Sequence, residues 1–111
     1  MSITQVIDAQ LEAYNARDIE ALLRTYHPNC VIEDASGNVQ QTNREEIRAR
    51  YTKTFEVSPE LHAKILTRIV NGPYVIDHEE VSGHSGRTDL LYAVPVYRVE
   101  DGLITHVRFI G

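Results

Sequence analysis

The chain has 111 residues, of which 42% are hydrophobic and 24% are charged, a composition typical of one globular domain and not of a disordered segment. Its formal net charge is −5 and it contains one cysteine, so we expect no nucleic acid partner and no intrachain disulfide. No apolar run approaches the length of a membrane span, and Asp8 and Glu12 interrupt the first apolar residues; we therefore predict a cytoplasmic protein without membrane contact.

Three helices are predicted in the first half of the chain. Ser2 opens a capping-box pattern, Asp18 can cap a second short helix, and Thr42 opens another capping box. The second helix is expected to stop at residues 27–29, because proline cannot continue a helix. Residues at helical spacing predict the buried faces, which are Ile3, Ile7, Gln10, Leu11 and Tyr14; Ile19, Leu22, Leu23 and Tyr26; and Ile47, Tyr51 and Phe55.

Strands dominate the rest of the chain. The stretch CVIEDASG at 30–37 predicts a short strand that ends in a turn, and a short polar strand follows at 39–41. Apolar and polar residues then alternate, with Asn71-Gly72 as a strong hairpin signal and Asp101-Gly102 as a later turn. The predicted strands are 61–69, 74–81, 87–99 and 103–110. Together these elements predict an α+β fold in which helices pack on one face of a curved, four-stranded antiparallel meander.

The predicted strand at 87–99 is apolar on both faces. Leu91, Ala93, Pro95, Tyr97 and Val99 share one face, and Leu90, Tyr92, Val94 and Val96 share the other. Helices can cover only one face in a chain this small, and monomers rarely expose a contiguous apolar patch. We therefore predict a homodimer through the second face; the alternative is that C-terminal residues fold over it.

The order of these segments resembles a known superfamily. YNARD in the first helix, then YHPNC, then VIED in a strand, and VYRVEDGLITHVRFIG over the last two strands together resemble the nuclear transport factor 2-like superfamily, and within it the steroid Δ-isomerase and SnoaL-like branch. The resemblance covers essentially the whole chain. It implies one domain over residues 1–111, folded as a cystatin-like cone with a small-molecule pocket at its open end, and usually dimeric.

The ketosteroid isomerase pattern can be placed on this sequence residue by residue. Its general-base aspartate corresponds to Asp34, and its supporting tyrosine to Tyr51. Its two oxyanion donors, a tyrosine and a protonated aspartate, correspond to Gln10 and Pro95. Since an amide is a far weaker acid than a phenol and proline has no donor at all, we do not expect efficient steroid isomerisation by that route.

The resemblance also places Ile76, His78 and Glu80 on the pocket side of their strand. We predict that Asp34 is the base and that His78 is the proton-transfer partner or an orienting donor. Asp34 alternates in step with Ile32, so we expect it on the inner face of its strand. Burial there, in an apolar cone, would raise the pKa of Asp34. The alternatives are a turn-forming Asp34 and a structural His78. The predicted pocket wall comprises Gln10, Tyr26, Tyr51, Glu80, Pro95, Tyr97, Val107 and Phe109.

The sequence suggests no metal and no cofactor. His78 and His84 lie six residues apart, which is not the spacing of a helical zinc pair. Three functional classes remain open. The chain is an isomerase-like or cyclase-like enzyme acting on a small apolar carbonyl compound, a non-catalytic ligand-binding module of the same fold, or a dimerisation module.

Overall fold

A computed structural model describes all residues, Met1–Gly111. No helix in it is both long enough and apolar enough to cross a membrane. Its elements in chain order are α1 Ile3–Ala16, α2 Ile19–Leu23, β1 Tyr26–Glu33, β2 Val39–Gln41, α3 Arg44–Glu56, β3 His62–Asn71, β4 Tyr74–Ser82, a 3₁₀ turn His84–Gly86, β5 Leu91–Ala93, β6 Pro95–Glu100 and β7 Leu103–Phe109.

The three helices begin with side-chain caps. The predicted capping box at Ser2 is present, and the Asp18 carboxylate accepts from a backbone N–H of α2. The third helix differs by one residue from its prediction. Its cap is Asn43, whose side chain accepts from the Glu46 N–H at 2.9 Å, while the Thr42 N–H donates to the Glu46 carboxylate.

The strands form one curved sheet in the order β2-β1-β7-β6-β4-β3, with β5 paired to β4. The α+β cone is confirmed, but the sheet has seven strands instead of a four-stranded meander. The difference arises because β2 pairs with β1 and β1 runs parallel to β7, which adds two strands, and because the predicted strand at 87–99 is divided into β5 and β6. Strand β1 begins at Tyr26, before the predicted stop. Its pairing with β7 is interrupted between Tyr26 and Val31, and this interruption accommodates Pro28.

The predicted strand at 87–99 is divided at Val94. The Val94 N–H donates to the Gly111 carbonyl and its carbonyl accepts from the Ile110 N–H, both at 2.9 Å. The alternation of inner and outer residues nevertheless continues from β5 into β6. The concave face of the sheet packs against the helices, where Ile7, Leu22, Ile47, Val75, Ile104 and Val107 are among the fully buried core residues.

A bulge in β3 decides which residues of β4 face the inside of the cone. Thr67 pairs with His78, whereas Ile65 pairs with Glu79, so Leu66 is an extra residue between them. An uninterrupted hairpin would have paired Ile65 with Glu80. The bulge therefore reverses the alternation along β3, so that Ala63 and Ile65 before it and Arg68 after it share the inner face with their β4 partners. The residues of β4 that point inward are Val75, Asp77, Glu79 and Val81. The prediction that His78 and Glu80 point inward is wrong.

The same bulge brings an arginine to the inner face. Arg68 donates through Nε and Nη2 to both carboxylate oxygens of Asp77, at 2.7 and 2.9 Å, and through Nη1 to Asp8 on α1 at 2.7 Å. The Asp77 side chain is only 1% exposed, whereas that of Asp8 is 61% exposed. The Arg68–Asp77 pair joins β3 to β4, and the second carboxylate, that of Asp8, ties both strands to the first helix.

We expect the loss of Arg68 and the loss of its exposed partner Asp8 to differ strongly in their effect on the free energy of unfolding. Arg68→Met leaves the buried Asp77 carboxylate without a counter-charge and should lower the free energy of unfolding by about 3–5 kcal/mol. Asp8→Ala removes a mostly exposed partner and should cost less than about 1 kcal/mol. Urea unfolding at neutral pH measures both values, and equal losses would contradict this ranking.

Candidate functional site

A cavity of about 290 Å³ lies inside the cone, between α1 and α3 on one side and the sheet on the other. Most of its lining is aromatic or aliphatic, and its polar groups are few. A concave, mostly apolar site with a few polar groups is the usual form of a small-molecule pocket. The lining residues are Gln10, Tyr14, Arg50, Tyr51, Thr54, Ala63, Glu79, Val81, His84, Leu91, Tyr92, Ala93, Tyr97 and Phe109.

Glu79 is the acid of this cavity. It is 9% exposed, and its carboxylate forms neither a salt bridge nor a hydrogen bond with the protein. The pKa of Glu79 is raised to about 7. Burial is the largest cause, the negative charge of Asp77 adds to it, and Arg68 opposes both effects. A carboxyl group with a pKa near neutrality in a cavity is a candidate for proton transfer, because both protonation states are accessible at physiological pH.

Two phenols lie near this carboxylate. Burial raises the pKa of Tyr97 well above its ordinary value, and the charge of Glu79 is the next contribution. Burial likewise raises the pKa of Tyr14, with contributions from Tyr51 and Glu79. Both hydroxyls therefore stay protonated at neutral pH and can donate a hydrogen bond to a ligand. Tyr14 is held by edge-on ring contacts with Tyr51 and Phe55, whose centroids lie 6.0 and 5.7 Å away.

Gln10 lies one helical turn before Tyr14 on the same face of α1. Its Nε2 donates to the Tyr26 hydroxyl at 3.3 Å, so part of its hydrogen-bonding capacity is used within the wall. Tyr26 is almost fully buried and belongs to the core behind the cavity.

Arg50 supplies the positive charge of the cavity wall. Its guanidinium lies 5.2 Å from the centroids of both the Tyr51 and Phe109 rings, and its Nη1 donates to the Gln41 side chain at 2.9 Å. Arg50 and Phe109 also line a shallow groove outside the cavity, together with Glu33, Asp34, Gln40 and Gln41.

Asp34 lies in that groove and not in the cavity. Strand β1 ends at Glu33, and Asp34 accepts hydrogen bonds from the backbone N–H groups of Ser36 and Asn38 and from the Asn38 side chain, at 2.9–3.2 Å. These bonds, with the Asn38 backbone N–H first, lower the pKa of Asp34. The expectation of a buried Asp34 with a raised pKa is therefore wrong. The residue forms a turn.

The remaining predicted site residues fall into three groups. Gln10, Tyr51, Tyr97 and Phe109 line the cavity. Tyr26, Pro95 and Val107 are buried beside it without lining it. His78 and Glu80 lie on the outer face of β4, where the His78 ring is 5.9 Å from the Tyr92 ring.

Sequence reasoning missed Glu79, Tyr14 and Arg50 as members of the site. A signal for Tyr14 was present, since it follows Gln10 by four residues on the predicted buried face. Glu79 depends on the bulge at Leu66, for which the regular alternation of β3 gives no sign. Arg50 does not belong to the predicted buried face of its helix, which is Ile47, Tyr51 and Phe55, so helical spacing gave no sign of it.

The sequence also matches a family model. The model of the SnoaL-like domain matches residues 7–107. The chain belongs to the SnoaL-like domain family. This confirms the superfamily and branch that the sequence motifs resemble. Among curated protein sequences no match is found.

Solved structures share the fold over nearly the whole chain. A cystatin-fold protein without assigned function from Novosphingobium aromaticivorans is 26% identical, with a TM-score of 0.90 and coverage of 100% of this chain and 99% of its own. A candidate polyketide cyclase from Sinorhizobium meliloti is 20% identical, with a TM-score of 0.81 and coverage of 95% and 93%. A protein of ketosteroid isomerase-like fold from Catenulispora acidiphila, crystallised with trimethylamine, is 19% identical, with a TM-score of 0.77 and coverage of 94% and 82%.

The buried carboxyl of Glu79 should make stability depend on pH. Its ordinary pKa is 4.5 and its folded value is about 7, so the folded state holds the proton to higher pH than the unfolded chain does. The favourable contribution of the Glu79 carboxyl group to the free energy of unfolding is complete below pH 4.5. It is lost as the pH rises through 7, and the loss is about 3 kcal/mol. Glu79→Gln cannot ionise. Its free energy of unfolding should therefore rise relative to the unsubstituted protein by about 3 kcal/mol between pH 4 and pH 9, as measured by urea unfolding.

Asp34→Asn is the matched control. The pKa of Asp34 is lowered, so its contribution is present above its unfolded pKa and is lost only as the pH falls below that value. The difference between Asp34→Asn and the unsubstituted protein should stay constant from pH 5 to pH 9. A constant difference for Glu79→Gln over the full range would show that Glu79 is not buried as described.

Proposed function

We propose that the cavity binds a small, largely apolar carbonyl compound and that Glu79 moves a proton on it. The observation that carries this proposal is the Glu79 carboxyl group, which is desolvated, has a pKa near 7 and has no hydrogen-bond partner in the protein. A largely buried carboxyl group without a protein partner is unusual and is often explained by a catalytic role, and here the cavity leaves room for a ligand beside it.

The chemistry follows from the groups around the cavity. The ionised Glu79 carboxylate takes a proton from the carbon next to the ligand's carbonyl. The electrons of that C–H bond form a carbon–carbon double bond, and the carbonyl π electrons move onto oxygen to give an enolate. The hydroxyl of Tyr14 or Tyr97 donates to this oxygen as its negative charge develops. In a ligand with a β,γ double bond the enolate is a dienolate, and Glu79 returns the proton to its γ carbon, which completes an isomerisation. In a ligand with a second carbonyl, the enolate carbon attacks that carbonyl carbon to close a ring, and Glu79 returns the proton to the alkoxide that forms.

This arrangement differs from the ketosteroid isomerase pattern in the positions of its parts. The base lies on β4 in place of the end of β1, and the phenol lies one turn further along α1 than the position of Gln10. The roles are nevertheless of the same kind, a carboxylate and a phenol in an apolar cavity. Family membership and the name of the Sinorhizobium protein support this class, since aldol ring closure also begins with proton removal beside a carbonyl.

Proton exchange tests this function directly. In D₂O the protein should catalyse exchange of the α-protons of 2-tetralone above the buffer rate, followed by ¹H NMR. The rate should increase as the pH rises through about 7, because the carboxylate is the active form. Glu79→Gln should lower the catalysed rate by a factor of about 100 or more, whereas Asp34→Asn should leave it unchanged.

The alternatives give different results. Equal exchange rates for Glu79→Gln and the unsubstituted protein would remove Glu79 as the base. Binding of a phenol such as 2-naphthol, which resembles an enolate, without any catalysed exchange would favour the non-catalytic ligand-binding module.

We also propose that the outer face of the sheet joins two copies of the chain. On this face Leu90 is 46% exposed and Ile69 on β3 is 56% exposed, and Tyr92, which is 55% exposed, borders both this face and the cavity. The C-terminal residues pair with Val94 but leave these side chains uncovered. An exposed group of large apolar side chains is typical of an interface.

Sedimentation equilibrium should therefore give twice the chain mass of 12.6 kDa at micromolar concentration. Val96→Lys places a cation on this face beside Arg98 and Arg108, and repulsion across the interface should shift the protein toward the monomer. A monomeric unsubstituted protein would remove this proposal.

A further inference from the structure

Arg50 differs from most arginines of the chain in having no acidic partner. The salt bridges of the structure use Arg48, Arg68, Arg87, Arg98 and Arg108, and none uses Arg50. The chain has sixteen acidic residues against eleven lysines and arginines, so acidic partners are not scarce. An unpaired guanidinium on the wall of an apolar cavity is therefore a site for a charge that comes from outside the chain.

Contacts hold the Arg50 side chain in place and leave part of its N–H donors without an acceptor. The Tyr51 and Phe109 rings flank its guanidinium at 5.2 Å, and Gln41 accepts from Nη1, while Nε and Nη2 have no acceptor in the protein. A guanidinium fixed by rings and an amide presents its remaining N–H groups in a planar fork, which matches the two oxygens of a carboxylate.

We infer that the ligand of the cavity is an acid, with its carboxylate on Arg50 and its carbonyl end toward Glu79. The carbonyl part rests on the proposed function. The fixed positive charge of Arg50 disfavours an organic cation, and a neutral ligand would leave the guanidinium unpaired. A small keto acid satisfies both polar ends of the cavity.

The surrounding charges decide on which side of Arg50 the ligand carboxylate binds. Arg50 and Phe109 separate the cavity from the outer groove, and Glu33 and Asp34 lie on the groove side. Those carboxylates repel an anion there, so the ligand carboxylate binds on the cavity side. The other titratable groups that line the cavity are Glu79, His84, Tyr14, Tyr51, Tyr92 and Tyr97. At pH 6 Glu79 is mostly protonated and adds little repulsion.

A pair of matched probes tests this inference. We would titrate 2-naphthol and 6-hydroxy-2-naphthoate by isothermal calorimetry at pH 6, since they differ by one carboxylate. The unsubstituted protein should bind the acid at least about tenfold more tightly, and added salt should reduce the preference. Arg50→Gln should remove the preference, which is the ratio of the two affinities measured in the same variant and therefore isolates the carboxylate from any other change in the cavity wall.

Two further variants make the result specific. Arg24→Gln removes the same charge from an exposed position outside the cavity and should keep the full preference. Arg50→Lys keeps the charge but not the planar fork and should keep part of it, which supplies a second measurement should Arg50→Gln fail to fold.

The outcomes separate the two proposals. Tight binding of 2-naphthol without a preference for the acid, or a preference that survives in Arg50→Gln, overturns the acid inference and leaves the proposed function standing. Failure of both probes to bind overturns both.

Discussion

Two carboxylates lie two residues apart on the inner face of β4, and only one of them has a counter-charge. Asp77 is neutralised by Arg68 through two hydrogen bonds, whereas Glu79 opens onto the cavity without a partner. The paired acid contributes to the pKa of the unpaired one, because the negative charge of Asp77 adds to the effect of burial. The chemistry proposed for the site depends on this difference between a paired and an unpaired acid.

The asymmetry originates in the backbone. One extra residue in β3 puts Arg68 on the same face as Ala63 and Ile65, so the Arg68–Asp77 pair and Glu79 all face inward. Without the bulge the inner positions of β4 would be Ile76, His78 and Glu80, and Arg68 would face outward. A local irregularity of one residue thus decides which acid the cavity contains. This is consistent with the tendency of bulges to lie next to functional sites and to redirect side chains.

The sequence predicted the fold well because its signals are local. Neighbouring residues alone determine the cap at Ser2, the hairpin at Asn71-Gly72 and the alternation along 91–99. The ordered set of motifs identified the superfamily. The site was harder to predict from the sequence than the fold, for a physical reason. Both faces of β4 mix apolar and ionisable residues, so alternation alone does not distinguish them. Asp34 was misplaced because β1 ends one residue earlier than the alternation implies, and the turn satisfies its carboxylate.

The cavity can therefore be described by three chemical elements. Its interior end has an acid that is able to change its protonation state near neutral pH, two buried phenols stay protonated beside it, and a fixed guanidinium lies at its boundary with the outer groove. The acid and the cation line the same cavity and form no salt bridge with each other, so both remain open to a ligand. A direct Glu79–Arg50 pair would have neutralised both groups and left the cavity without polar selectivity.

The most direct test of this account is the titration of the Glu79 carboxyl carbon by ¹³C NMR, with the signal assigned by its loss in Glu79→Gln. The account predicts a midpoint at a pH of about 7. A midpoint near the ordinary value of 4.5 would show that the carboxylate is hydrated or paired, and the proposed proton transfer would lose its basis.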